Sequence, residues 1–207
     1  YEMLRSLVGS EMCIRDSYYT PPKLASAIID KLSLDFKSVL EPSCGEGVFI
    51  DKLTDRYPSV NITAIDNDEK AVELVKERYK GNQRVSISKE DFFDFYAGRE
   101  ENKTYDLIIG NPPYIRYQYL TEPQREMQSA ILSSNGMKSN KLINAWVAFL
   151  VACVDMLSEK GLIAFVIPAE LLQVAYAKNL RKFLTEHLDD ITIVTFKELV
   201  FSAVQQE

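Results

Sequence analysis

The sequence predicts a doubly wound α/β fold built on a mostly parallel sheet. Three observations carry that prediction. Short apolar runs of strand length alternate with segments of helical periodicity. Gly, Pro, Asn or Asp punctuates the ends of those runs. The unusual motifs fall at the carboxyl ends of the strands, where open parallel sheets bind ligands.

The elements follow in order. Thr20 is placed to cap a helix beginning at Pro21, with Leu24, Ala27, Ile28 and Leu32 at helical spacing. Residues 38–41 form a short strand that enters the turn Pro42-Ser43-Cys44-Gly45-Glu46-Gly47. Residues 48–57 read as a helix, 60–65 as a second strand ended by Asp66, 69–79 as a helix and 85–88 as a third strand. Residues 105–109 are a fourth strand, followed at once by Gly110-Asn111-Pro112-Pro113-Tyr114. Residues 115–140 are long, polar and aromatic, with a helical patch near 124–133. Residues 142–158 predict a helix stopped at Gly161. A fifth strand over 162–167, a helix over 171–187 and a sixth strand over 191–196 complete the pattern. Residues 1–17 show no period and are read as translated adapter sequence or as a disordered leader. The catalytic domain is assigned to 18–207.

Composition narrows the function. The chain has 207 residues, enough for one domain with a substantial core. No apolar run approaches the roughly 20 residues of a membrane helix. Cys13, Cys44 and Cys153 are few and scattered, which fits a reducing cytoplasm, and His187 is the single histidine, so a zinc site is not expected. The net charge of −6 sits awkwardly with DNA binding, which draws its affinity from Lys and Arg on phosphates. The basic surface is therefore expected to be local, or to lie elsewhere in the protein.

The first half of the predicted site follows strands one to three. Gly45 and Gly47 allow a tight turn and close approach of a ligand to the main chain, and the next helix N-terminus can receive a carboxylate. Ile50 stands where a dinucleotide fold needs its third glycine. Asp66 can accept from two ribose hydroxyls. Asp91 can accept from an adenine amino group, and Phe92 can stack on the purine. Glycine turn, ribose acid and adenine acid, in that order, describe a nucleoside carrying an amino acid, as in S-adenosylmethionine (SAM).

The second half is Asn111-Pro112-Pro113-Tyr114. An exocyclic amine on an aromatic ring is a poor nucleophile because its lone pair is delocalised. The side-chain oxygen of Asn111 and the carbonyl of Pro112 can accept its two N–H bonds and direct the lone pair at a methyl carbon. The prolines, Pro113 included, fix the backbone, and Tyr114 offers a face to the target ring.

Together these motifs resemble the amino-methyltransferases of the class I, Rossmann-like SAM-dependent fold. The resemblance runs from Tyr18 to the end and includes Tyr19-Thr20-Pro21-Pro22 and the segment 161–172. Motif order is similar to the gamma group of DNA adenine-N6 methyltransferases, in the branch found in type II and IIG restriction–modification. The resemblance implies that Thr20 and Glu41 contact the methionine part of SAM and that Phe201 stacks the flipped adenine opposite Tyr114. It also implies a double-stranded DNA partner, and a restriction nuclease either fused or separate. Arg116 and Tyr117 are further candidate DNA contacts. The family sheet closes with an antiparallel strand, and the family adds a target-recognition domain; both are expected to lie beyond this sequence. Two alternatives stay open: an N-methyltransferase acting on a protein glutamine or on RNA, and a non-catalytic SAM- or DNA-binding module.

Overall fold

The computed structural model describes residues 20–32, 35–168, 170–173 and 177–195. Its centre is a five-stranded sheet in the order β3-β2-β1-β4-β5. The strands are β1 (Ser38–Glu41), β2 (Asn61–Asp66), β3 (Val85–Lys89), β4 (Tyr105–Gly110) and β5 (Leu157–Phe165). Every pairing is parallel. The order reverses between β1 and β4, so the carboxyl ends of these two strands open a crevice at the switch point.

Successive side chains of a strand point to opposite faces, and β1 shows what that does. Val39 packs with Ile62, Ala64, Leu107 and Ile109 against Ala25, Ile29, Phe49, Ile50, Leu53 and Val75. These come from α1 (Pro22–Ile29), α2 (Val48–Arg56) and α3 (Glu69–Arg78). Leu40 points the other way and joins Ile65 and Ile108 in a second core. That core is covered by α4 (Phe92–Gly98), α5 (Glu122–Ser134), α6 (Ala145–Asp155), α7 (Glu170–Gln173) and α8 (Ala177–His187). From Ala145 to Cys153, α6 is apolar all round because it is buried all round; Trp146 and Val151 are fully enclosed.

Four local readings change. Thr20 does not cap α1: Pro21 is the N-cap residue and makes no side-chain bond, while Thr20 is buried. Gly161 does not stop α6, which ends at Asp155. It lies inside β5 at a register shift against β4, where a Cβ would come within 2.9 Å of the Tyr105 carbonyl oxygen. Residues 92–98, of which only Phe92 was given a role from the sequence, form α4, capped by Asp91 accepting from the Phe93 N–H. Residues 191–195 of the expected sixth strand form no strand, and Ile191, Ile193 and Val194 are about half exposed. The rest of that segment lies outside the described residues.

Candidate active site

The turn after β1 is held from two sides. Gly45 and Gly47 have φ of 50° and 79°, which side chains other than hydrogen rarely adopt. A Cβ at Gly47 would also lie 3.1 Å from both methyls of Val75, so this glycine lets α3 approach as well as shaping the turn. The Gly45 N–H donates to Asp66 Oδ2 at 2.7 Å, and the Asp68 N–H donates to Asp66 Oδ1 at 2.9 Å. Asp66 thus braces the glycine turn from the end of β2, and each of its oxygens keeps further lone-pair capacity.

Beside the turn is a cavity of about 270 Å³ lined by Thr20, Glu41, Ser43, Gly45, Arg78 and Asn111, among others. The Glu41 carboxyl is 1% exposed, and its Oε2 has no hydrogen-bond partner among the described residues. Burial raises its pKa well above the usual carboxylate range, and Asp66 and Asp51 raise it further. Arg78 spans the rim, donating to the Glu46 carbonyl and to Asp51, each at 2.9 Å. A larger open hollow of about 680 Å³ lies along α5, lined by Tyr117, Gln118, Arg125 and Lys141 among others, and holds none of the predicted catalytic or cofactor residues.

Asn111 follows β4 and lines the same cavity as Thr20 and Glu41, although 70 residues separate it from the glutamate in sequence. Ser43 Oγ donates to the Asn111 carbonyl at 3.1 Å, joining the glycine turn to the loop after β4. The Tyr114 hydroxyl lies 2.7 Å from Asn111 Oδ1 and 2.8 Å from the Val166 carbonyl, with one proton to share between them. Burial raises the Tyr114 pKa. Its ring packs on the second core. The acceptor expected to receive a target amine therefore already faces a hydroxyl donated from within the motif.

At the end of β3, Asp91 Oδ1 caps α4 and Oδ2 accepts from Gln124 Nε2 at 2.7 Å. Phe92 is 4% exposed and one ring face is covered by Phe149, the centroids 3.8 Å apart. Arg116 is exposed, and Tyr117 lies beneath the Arg125 guanidinium, 5.2 Å from its ring centroid. Phe201 lies outside the described residues. Ser43, Arg78 and Gln124 were not singled out from the sequence. Ser43 sat inside a quoted motif and Gln124 is marked locally only as a capping-box residue after Thr121; nothing local points Arg78 or Gln124 to the partners 27 and 33 residues away.

The parallel sheet with a crevice between β1 and β4 is that of the class I methyltransferases. A solved structure with the same fold is the methyltransferase subunit of a type I restriction-modification system from Streptococcus thermophilus, with a TM-score of 0.63 and 19% identity over 82% of this chain and 38% of that one. More specifically, the chain belongs to the Eco57I restriction-modification methylase family, whose model matches residues 26–201. It is 30% identical over 188 residues to the type II methyltransferase M.AccI of Acinetobacter calcoaceticus, covering 89% of this chain and 34% of that protein. It is 29% identical over 153 residues to the modification methylase CviBIII of Paramecium bursaria Chlorella virus NC1A, covering 71% of this chain and 35% of that protein. The chain thus spans about a third of the length of these relatives. No helix among the described residues is long and apolar enough to cross a membrane.

Proposed function

We propose that this protein is a SAM-dependent methyltransferase of a restriction–modification system that methylates the N6 amine of adenine in double-stranded DNA. One observation carries the reading: Asn111, on the rigid loop after β4, shares a cavity with the buried, half-unpartnered carboxyl of Glu41 and the glycine turn. An orphaned carboxyl oxygen at 1% exposure needs a cationic or N–H partner, and the ammonium group of an amino-acid ligand supplies one. The buried carboxyl of Glu41 fits the amino-acid end of the cofactor. Glu41 and Thr20, which line the cavity, would hold that end, and Asp66 and Asp91, which lie beyond its lining, would hold the ribose and the adenine, with Phe92 as apolar backing. When bound, SAM supplies an electrophilic methyl group on a sulfonium.

The chain's own residues do the rest by positioning. Asn111 Oδ1 and the Pro112 carbonyl accept the two N–H bonds of the target amine, drawing it towards a pyramidal geometry with its lone pair free. Proline φ values fix the loop, so little reorganisation accompanies the reaction. For Asn111 to receive the amine, the Tyr114 hydroxyl gives up its share in Oδ1 and keeps Val166 as acceptor. The Tyr114 ring then stacks the extruded base, with Phe201 opposite. The net charge of −6 and the one-third span of the relatives support a division of labour in which most phosphate contacts, the target-recognition domain and the cognate nuclease, fused or separate, lie outside this segment. A cytoplasmic location follows from that role.

The test is methyl transfer from labelled SAM to duplex DNA, followed by base analysis. N6-methyladenine is the expected product; N4-methylcytosine would overturn the choice of base. Asn111→Ala is expected to lower kcat by about a thousandfold while SAM binding stays within a few-fold. Turnover of that variant at the unaltered rate would refute the role of Asn111.

A further inference from the structure

Gln124 spends both ends of its amide on different parts of the molecule. Its Oε1 accepts from the Thr121 N–H at 2.9 Å, completing a capping box at the start of α5. Its Nε2 donates to Asp91 Oδ2 at 2.7 Å. The amide orientation is fixed by chemistry, since a backbone N–H can only donate and a carboxylate can only accept. Among the described residues Asp91 therefore receives two bonds, one per oxygen, and both set the plane of its carboxylate. The next residue of α5, Arg125, donates to the Tyr117 carbonyl at 3.1 Å and the Gln118 carbonyl at 2.8 Å. The N-terminus of α5 is thus tied both to the strand end that meets the nucleoside and to the strap that follows the catalytic loop.

From this we infer that Gln124 is a positioning residue for cofactor recognition: it aims the Asp91 carboxylate at the adenine amino group and links that contact to the strap at Tyr117–Tyr119. The inference rests on the proposed placement of adenine at Asp91. The role requires a donor, which separates it from helix capping, which requires only an acceptor. Glutamate at position 124 keeps the acceptor and so keeps the cap. It also faces Asp91 with a second carboxyl at hydrogen-bond distance. At acid pH one shared proton restores the bond, whereas at alkaline pH two carboxylates repel. The charged groups around this pair are the Lys89–Glu69 ion pair (3.2 Å) at the end of β3, Glu90 beside Asp91, Asp94 in the first turn of α4, and Glu122 and Arg125 on α5. The substitution leaves all of these unchanged, so a pH response present only in the variant comes from the added carboxyl in that field.

The experiment is calorimetric titration of the full-length protein with S-adenosylhomocysteine and with its inosine counterpart, which replaces the amino group by a carbonyl. The unaltered protein is expected to prefer the adenosine ligand by about tenfold or more. Gln124→Glu is expected to lose about tenfold in affinity for that ligand near pH 8, with most of the preference, and to regain both near pH 6. Thr121→Ala removes the cap but leaves the donor, and is expected to lower Tm while keeping the preference. Gln124→Glu binding like the unaltered protein at both pH values would overturn the role of Gln124 alone. Absence of any preference in the unaltered protein would overturn the placement of adenine at Asp91, and this inference with it.

Discussion

The two sides of the switch point are built differently. On the β1–β2 side, Val39, Leu40, Ile62, Ala64 and Ile65 are at most 1% exposed, and the functional turns brace one another over short sequence distances, as Asp66 does for Gly45. On the β4–β5 side, Leu107, Ile108 and Ile109 are equally buried, but the loop after β4 depends on more distant partners: Ser43 for its first carbonyl, Val166 for Tyr114, and the Ala145 N–H for the Ile115 carbonyl. Under the proposed function the first side seats the cofactor, and the second is a loop suspended between elements. Substitutions on the first side should therefore register in binding, and those on the second in the chemical step.

The largest contrast is expected at Glu41. Glu41→Gln should weaken S-adenosylhomocysteine binding about 30-fold, because the ammonium loses its buried charged partner. The stability of the ligand-free protein should move the opposite way. The folded-state pKa of this carboxyl is raised, so its contribution is fully present below the ordinary carboxylate range and is lost as pH rises through the raised value. At neutral pH, Glu41→Gln should raise Tm by about 3 °C and flatten its dependence on pH. A lower Tm with unchanged binding would dissolve the contrast.

Tyr114 sharpens it from the other side. Tyr114→Ala should weaken target engagement about tenfold through lost stacking, with cofactor affinity unchanged. Tyr114→Phe keeps the ring and releases Asn111 Oδ1, so its KM for DNA should equal or fall below that of the unaltered protein. A Phe variant as impaired as Ala would show that the hydroxyl, not the ring, matters. The smallest effect belongs to the seam. Ser43→Ala removes one hydrogen bond between the two sides and should lower kcat about fivefold while SAM affinity holds. A change confined to SAM affinity would assign Ser43 to the first side instead.

Much of this was legible in the sequence because strand ends announce themselves. β1 begins and ends at the residues its apolar run predicted, and β2, β3 and β4 end one residue later than expected. Asn111 and Gly45 were named from local motifs, Thr20 and Glu41 from the family resemblance, and the cavity brings the four together. What the sequence hid depends on tertiary partners. Gly161 reads as a helix stop until the Tyr105 carbonyl is seen beside it. Phe92 reads as an open stacking face until Phe149 covers one side. Asp106 reads as an ordinary strand residue, yet it accepts from the N–H groups of Lys37 and Ser38 and from Ser158 Oγ, stitching three strands at their amino ends; hydrogen bonds led by the Lys37 N–H lower its pKa. No local pattern carries information about a partner 69 residues away.

The brace between Asp66 and Gly45 has a consequence for turnover. The Gly45 N–H is fixed by Asp66, so under the proposed function the turn offers the same seat before and after the methyl group is lost. On that proposal, demethylated product is expected to compete with substrate at comparable affinity, and the rate in the cell to respond to how quickly that by-product is cleared.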